Sequence, residues 1–143
     1  MPILPITKLP TLIAPGLRLT SVRERVNFTA AAASHALATG LPANSLLLSA
    51  RLIIPATITA ATATKIGFGR STSVADPDKY ILSAALTAAT VTLIQNQWSA
   101  PLSAAEALAI FACDNAGAAA GTIGASGQFV DVEFTYLEVV PLG

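Results

Sequence analysis

The chain has 143 residues, the size of one domain with a substantial core. Eight basic and eight acidic side chains cancel, which argues against nucleic acid as the principal partner, because neutralising phosphates takes a basic excess. Charged residues make up 11% of the chain and mean hydropathy is +0.64, so a protomer exposed on all sides is short of polar surface.

Met1 to Gly16 read as an apolar arm interrupted by Pro2, Pro5, Pro10 and Pro15. Proline fixes φ and removes a backbone donor, so the arm is neither helix nor central strand and is predicted to run extended, close to polyproline II. It carries Ile3, Leu4, Ile6, Leu9, Leu12 and Ile13, too many large aliphatics for a free tail in water. No pairing partner is evident in its own sequence neighbourhood. Two homes remain open: a groove on another subunit, or an open edge of its own domain. Lys8 and the prolines break every candidate signal-peptide core. No run approaches the ~20 apolar residues of a membrane-spanning helix, so no membrane partner is expected. The predicted division is therefore an arm over 1–16 and a β-sandwich domain over 17–143.

Strands are predicted at Leu17–Phe28, Ser45–Ile54, Thr90–Gln95, Ala107–Cys113 and from Phe129 to about Val140. In the first, apolar parity changes between Leu19 and Val22. A β-bulge near Thr20 or Ser21 would set Leu17, Leu19, Val22, Val26 and Phe28 on one side. In the second, Leu46, Leu48, Ala50, Leu52 and Ile54 are expected inward, with Ser49 and Arg51 outward and Pro55 marking a break. The small residues Thr59 to Thr64 suggest the end of a hairpin between Ile58 and Ile66. Asp76-Pro77-Asp78 has the form of a helix start, and Ser103-Ala104-Ala105-Glu106 has capping-box spacing, so a short helical turn is predicted at each. The last strand alternates cleanly: Val130, Val132, Phe134 and Tyr136 share a dry face, and Asp131, Glu133 and Thr135 a wet one. With no sustained helical period and no internal repeat, the fold class is all-β, an antiparallel sandwich.

Groups capable of chemistry are few. Cys113 and His35 are single, so no intrachain disulfide and no Cys/His zinc site can be assembled from one chain. Cys113, in an apolar run, reads as a small buried hydrophobe. The Gly117–Gly127 stretch lacks the Gly-Lys-Ser/Thr ending of a phosphate-binding loop. Asp131 and Glu133 lie roughly 7 Å apart along a strand, near the spacing of paired glycosidase carboxylates. They sit on the expected wet face, however, where no cleft raises a pKa. Ser34-His35 lacks the geometry of a nucleophile and its base, and there is no Gly-x-Ser-x-Gly elbow. Asn27-Phe28-Thr29 matches a glycosylation sequon. Trp98 reads as a core or interface anchor before a sugar-stacking platform. The chain is thus expected to be no enzyme and to need no cofactor or metal.

One charge asymmetry is informative. Lys8, Arg18, Arg23 and Arg25 stand against Glu24 near the start, while Asp131, Glu133 and Glu138 stand without a base near the end. These regions are expected to pair, within a protomer or across a subunit boundary, setting register and orientation.

The run Leu41-Pro42-Ala43-Asn44-Ser45 through Ile54, then Ile58-Thr59-Ala60-Ala61-Thr62-Ala63-Thr64-Lys65-Ile66-Gly67, resembles small jelly-roll domains of tailed bacteriophages. Those occur as head decoration (cement) proteins and as fibre domains. The loop Ala75–Tyr80 and the strand Gln128–Leu137 extend the likeness, which covers roughly Leu41 to Val140. The resemblance implies a jelly-roll-like fold and a structural virion protein. Such a protein would be made in the host cytoplasm and placed on the outer capsid surface. It would act as a homotrimer bridging subunits of the phage major capsid protein. A single domain with an apolar arm favours cement over the alternative, a fibre or adhesin domain binding a host-surface glycan. The partner-binding residues expected on this basis are Ile3, Leu4, Ile6, Leu9, Leu12 and Ile13 of the arm, with Arg23, Arg25, Asp131 and Glu133.

Overall fold

The computed structural model describes residues 6–14, 16–72, 74–92 and 101–139. Its elements there are all strands: β1 (Thr7–Ala14), β2 (Leu17–Asn27), β3 (Ser34–Ala36), β4 (Ser45–Ile54), β5 (Ala60–Ala61), β6 (Lys65–Arg70), β7 (Asp76–Leu82), β8 (Ala89–Thr92), β9 (Leu108–Cys113), β10 (Thr122–Ile123) and β11 (Phe129–Val139). A larger sheet runs β1-β2-β11-β4-β8 and a smaller one β3-β9-β6-β7, with β5 and β10 as a short ribbon. Every strand pair is antiparallel. The two sheets form a jelly-roll-like sandwich: the alternating pattern and turn signals predict the sandwich, and the phage-domain resemblance implies its jelly-roll form.

The core lies between the sheets. Val22, Val26 and Phe28 of the β2 region, Ala50, Leu52 and Ile54 of β4, and Val130, Val132, Phe134 and Tyr136 of β11 face it from the larger sheet. Ile66, Phe68, Tyr80, Ile81, Leu108 and Ile110 face it from the smaller. Phe134 bridges them, its ring centroid 5.9 Å from that of Phe68. The dry face expected for β11 is the observed one.

Several expectations are corrected. β2 carries no bulge: it pairs with β11 in unbroken register from Asn27↔Phe129 to Leu17↔Val139. The buried Thr20 takes the inward position, and Leu17 and Leu19 lie half-buried on the outer face. The irregularity falls on β4, where Thr135 pairs with Ser49 but Tyr136 with Leu47. The extra residue, Leu48, turns Leu47 inward in place of Leu46 and Leu48, because one inserted residue inverts strand parity. The small residues at 60–61 pair with β10, so no hairpin joins them to β6. The predicted strand at Thr90–Gln95 is observed as β8 up to Thr92, and 93–95 lie outside the described residues, as do Trp98 and Val140.

Neither predicted helical turn forms. Asp76-Pro77-Asp78 opens β7, an edge strand, where a proline costs no ladder hydrogen bond. Phe68 pairs with Ile81 but Arg70 with Asp76, so the intervening part of β7 arches over the outer face of β6. Gly67 and Gly69 make room for that arch: a Cβ at Gly69 would lie 2.7 Å from the Pro77 carbonyl carbon and overlap the Asp76 carbonyl oxygen. Glu106 caps no helix; its backbone bridges Leu41 and its carboxylate is buried.

The arm is also corrected in part. Its residues 7–14 do have a neighbour in sequence, pairing with β2 from Thr7↔Arg23 to Ala14↔Leu17 as the edge of the larger sheet. Pro10 is compatible with that position because an edge strand has a ladder on one side only.

Candidate functional site

The larger sheet presents an outer face whose central strand is β11, flanked by β2 and β4. Period-two alternation sends Asp131 and Glu133 outward together, and register places Arg25 opposite Asp131 and both Arg23 and Arg51 opposite Glu133. The geometry converts register into ion pairs. Arg25 Nε donates to Asp131 Oδ1 at 2.8 Å and Nη2 to Oδ2 at 2.9 Å. Such a two-pronged contact is the strongest arginine–carboxylate geometry. Arg25 also lies over the Phe129 ring, 3.8 Å from its centroid. The hydrogen bonds to Asp131 hold the Arg25 guanidinium above its ordinary pKa, against the opposing effect of burial.

Glu133 sits between two arginines. Arg51 Nη2 donates to Oε2 at 2.5 Å and Arg23 Nε lies 3.4 Å from Oε1. The two arginine side chains are each 47% exposed, so these pairs contribute only ~0–1 kcal/mol apiece and weaken in salt. The wet face expected at Asp131 is therefore closed over: Asp131 is buried beneath Arg25. The start-to-end pairing read from the charge asymmetry forms here within one protomer. Arg51 belongs to the same ladder and was missed, since sequence alone showed it only as outward-facing.

Beside this ladder the same face turns apolar. Leu19 lies opposite Leu137, and Leu137 opposite Leu46; all three are half-buried, and Val139 is exposed. Of the arm residues, Ile6 is exposed, and Leu9, Leu12 and Ile13 fall within β1. Ile3 and Leu4 lie outside the described residues.

A second polar centre escaped the sequence pattern. Buried Glu106 accepts hydrogen bonds from the Tyr80 hydroxyl at 2.5 Å and from Lys79, with Arg70 3.6 Å away. Burial first, and then the bond to Glu106, push the Tyr80 phenol above its usual range. Glu24 is likewise buried and accepts the backbone N–H groups of Ala38 and Thr39 at 2.6 and 3.0 Å. Both acids tie loops to strands.

The other candidates for chemistry are engaged structurally. His35 Nε2 is 2.9 Å from the Ile123 carbonyl and its ring packs on Phe28, while Ser34 is exposed on the opposite side of β3. Asp131, buried, and Glu133, half-exposed, are held by arginines on the outer face of the larger sheet. Cys113 is buried, as expected, and desolvation, reinforced by Asp78 and Asp114, pushes its thiol up to about 11. Among the described residues no group of three or more His, Cys, Asp or Glu is arranged to hold a metal ion. What this surface offers is contact area and charge register.

No family model and no curated protein sequence matches the chain. Two solved structures share its fold. A chain in "Capsid of Ralstonia phage GP4" is similar with a TM-score of 0.64 and 17% identity, over 92% of this chain and 91% of that one. A chain in "Acidic stable capsid structure of Helicobacter pylori bacteriophage KHP30" is similar with a TM-score of 0.56 and 10% identity, over 95% and 94%.

Proposed function

We propose that this chain is a structural protein of a bacteriophage particle, a head decoration (cement) subunit that sits on the outer capsid surface and bridges neighbouring major capsid subunits. The observation that carries the reading is the fold shared, over nine-tenths of both chains, with a chain from each of two phage capsid structures. The surface agrees with it. The charged groups of the arginine ladder are spent on internal register, and the leucine-bearing outer face beside it is available for burial. The work is mechanical: a rigid sandwich touching several shell subunits adds contacts that must break before the shell separates.

Self-association as a homotrimer belongs to the same proposal. With 11% charged residues, apolar contacts would hold the oligomer, and Arg23, Arg25, Asp131 and Glu133 would orient it at the rim. The arm aliphatics Ile3, Leu4, Ile6, Leu9, Leu12 and Ile13 are proposed contacts with shell or neighbour.

Electron microscopy of phage particles with and without the protein tests the role. Density spread over the head is expected; density confined to a tail or fibre tip would favour glycan adhesion instead. Light scattering tests association: an oligomer that survives high salt is expected, and a monomer at micromolar concentration would remove the trimer.

A further inference from the structure

Among the described residues the two main sheets end in four edge strands, β1 and β8 on the larger and β3 and β7 on the smaller. A sheet edge is a row of unpaired backbone groups ready to take up another strand, and three of these four carry devices that oppose such pairing. β1 presents exposed Lys8 and Pro10, a charge and a missing donor. β7 opens on Asp76-Pro77-Asp78-Lys79, charges set around a proline. β3 runs only from Ser34 to Ala36, a very short template.

β8 carries none of these devices. Ala89 to Thr92 holds no charge and no proline, and neither occurs anywhere in positions 80–100. Thr90, Val91 and Thr92 are β-branched, the residue type that strands favour. β8 pairs with β4 on one side, and among the described residues its other side makes no backbone hydrogen bond. Residues 87–90 are exposed, whereas Val91 turns inward and packs against the core. The strand is therefore seated in the sandwich and open at its edge. A neutral, β-branched edge in a chain that guards its other edges is a surface for pairing.

We propose that β8 pairs antiparallel with β8 of a second copy of this chain, continuing the larger sheet across a two-fold axis. Charge selects this partner. A two-fold axis sets a strand against itself, so any charge near the axis meets its like. Lys8 on β1, and Asp76 and Asp78 on β7, would repel their own copies, and β8 has nothing to repel. With the axis perpendicular to the sheet, inward residues stay inward. A register centred on position 90 or 91 then sets position 90 opposite itself or opposite position 92. Both are threonines, a favourable cross-strand pair on one face of a sheet. A ring of three contains no two-fold axis, so this contact is additional to the trimer and joins one ring to the next. Four residues a side bury little area, so the contact is weak in dilute solution and acts where copies are crowded together.

Hydrogen–deuterium exchange of the full chain at increasing protein concentration reads the contact where it forms. Protection of the amides at 89–92 is expected to rise with concentration. Thr90 is exposed, so Thr90→Lys and Thr90→Glu leave the core intact. Each variant alone places like charges about 5–8 Å apart across the axis, and is expected to raise the concentration of half-protection at least threefold. An equimolar mixture of the two sets Lys against Glu and is expected to bring that concentration back to within about twofold of wild type. A structural fault at position 90 would show no such rescue. Concentration-independent exchange at 89–92, unchanged pairing in both variants, or a mixture no better than either variant alone would each overturn the proposal. The measurement contains no shell, so its failure leaves the cement reading to the microscopy of whole particles.

Discussion

β9 and β11 are both interior strands of their sheets, and their outer faces differ sharply. All six residues of β9 are buried, whereas β11 alternates between buried positions and half-exposed ones such as Glu133, Thr135 and Leu137. The cause lies in the neighbours. The outer face of β9 carries its own small cluster, Ala109, Phe111 and Cys113 with Leu82, on the side where β7 arches over the glycines of β6. Among the described residues the outer face of β11 has no such cover and is finished by salt bridges. β9 is covered by its own chain on both sides. Among the described residues β11 is covered on one side only.

The largest expected effect tests what the two sheets share. Phe134→Ala removes the ring that meets Phe68 across the core and is expected to cost ~3–5 kcal/mol, measured by denaturant unfolding. A negligible change would mean that the inner face of β11 is misassigned.

Gly69→Val attacks the covered face. Its side chain would collide with the backbone at Asp76 and Pro77, and a loss of about 1–3 kcal/mol is expected, together with faster alkylation of Cys113 as the arch lifts. A fully stable variant with a protected thiol would show that the arch is not packed on Gly69.

Cys113 reports the same cover through pH. Its folded-state pKa, about 11, stands above the ~8.5 of an unfolded thiol. The folded protein therefore holds the proton more tightly. The thiol's contribution is complete below the unfolded value and is lost as pH rises through the folded one. Between pH 8 and 10 the wild type is expected to lose about 1–2 kcal/mol more than Cys113→Ala, read from urea midpoints at the two pH values. Parallel losses in both would place the thiol in water. Tyr80, also raised, acts in the same direction in both proteins and cancels from the comparison.

The smallest effect belongs to the open face. Glu133→Gln, between two half-exposed arginines, is expected to change stability by ~0–1 kcal/mol, with the difference vanishing in high salt. A loss of several kcal/mol would mean that Glu133 is shielded like Asp131, and that this face is covered after all.

Local periodicity by itself determined much of this protein. The dry face of β11, the inward set Ala50, Leu52 and Ile54, the burial of Cys113 and the all-β class follow from alternation and residue type, because a strand's side-chain period is independent of what it packs against. The charge asymmetry likewise foretold the partners Arg23, Arg25, Asp131 and Glu133. Tertiary structure decided the rest. The bulge at Leu48 depends on how β4 meets β11, and the sequence showed a parity change in the wrong strand. Asp76-Pro77-Asp78 satisfies a helix start and an edge strand equally well; the glycines across the sheet chose the strand. Glu106 looked like a cap because its partners, Tyr80, Lys79 and Arg70, are 26 or more positions away. Whether an outward residue is wet, covered or paired is a property of its neighbours in space, and a period of two carries no information about them.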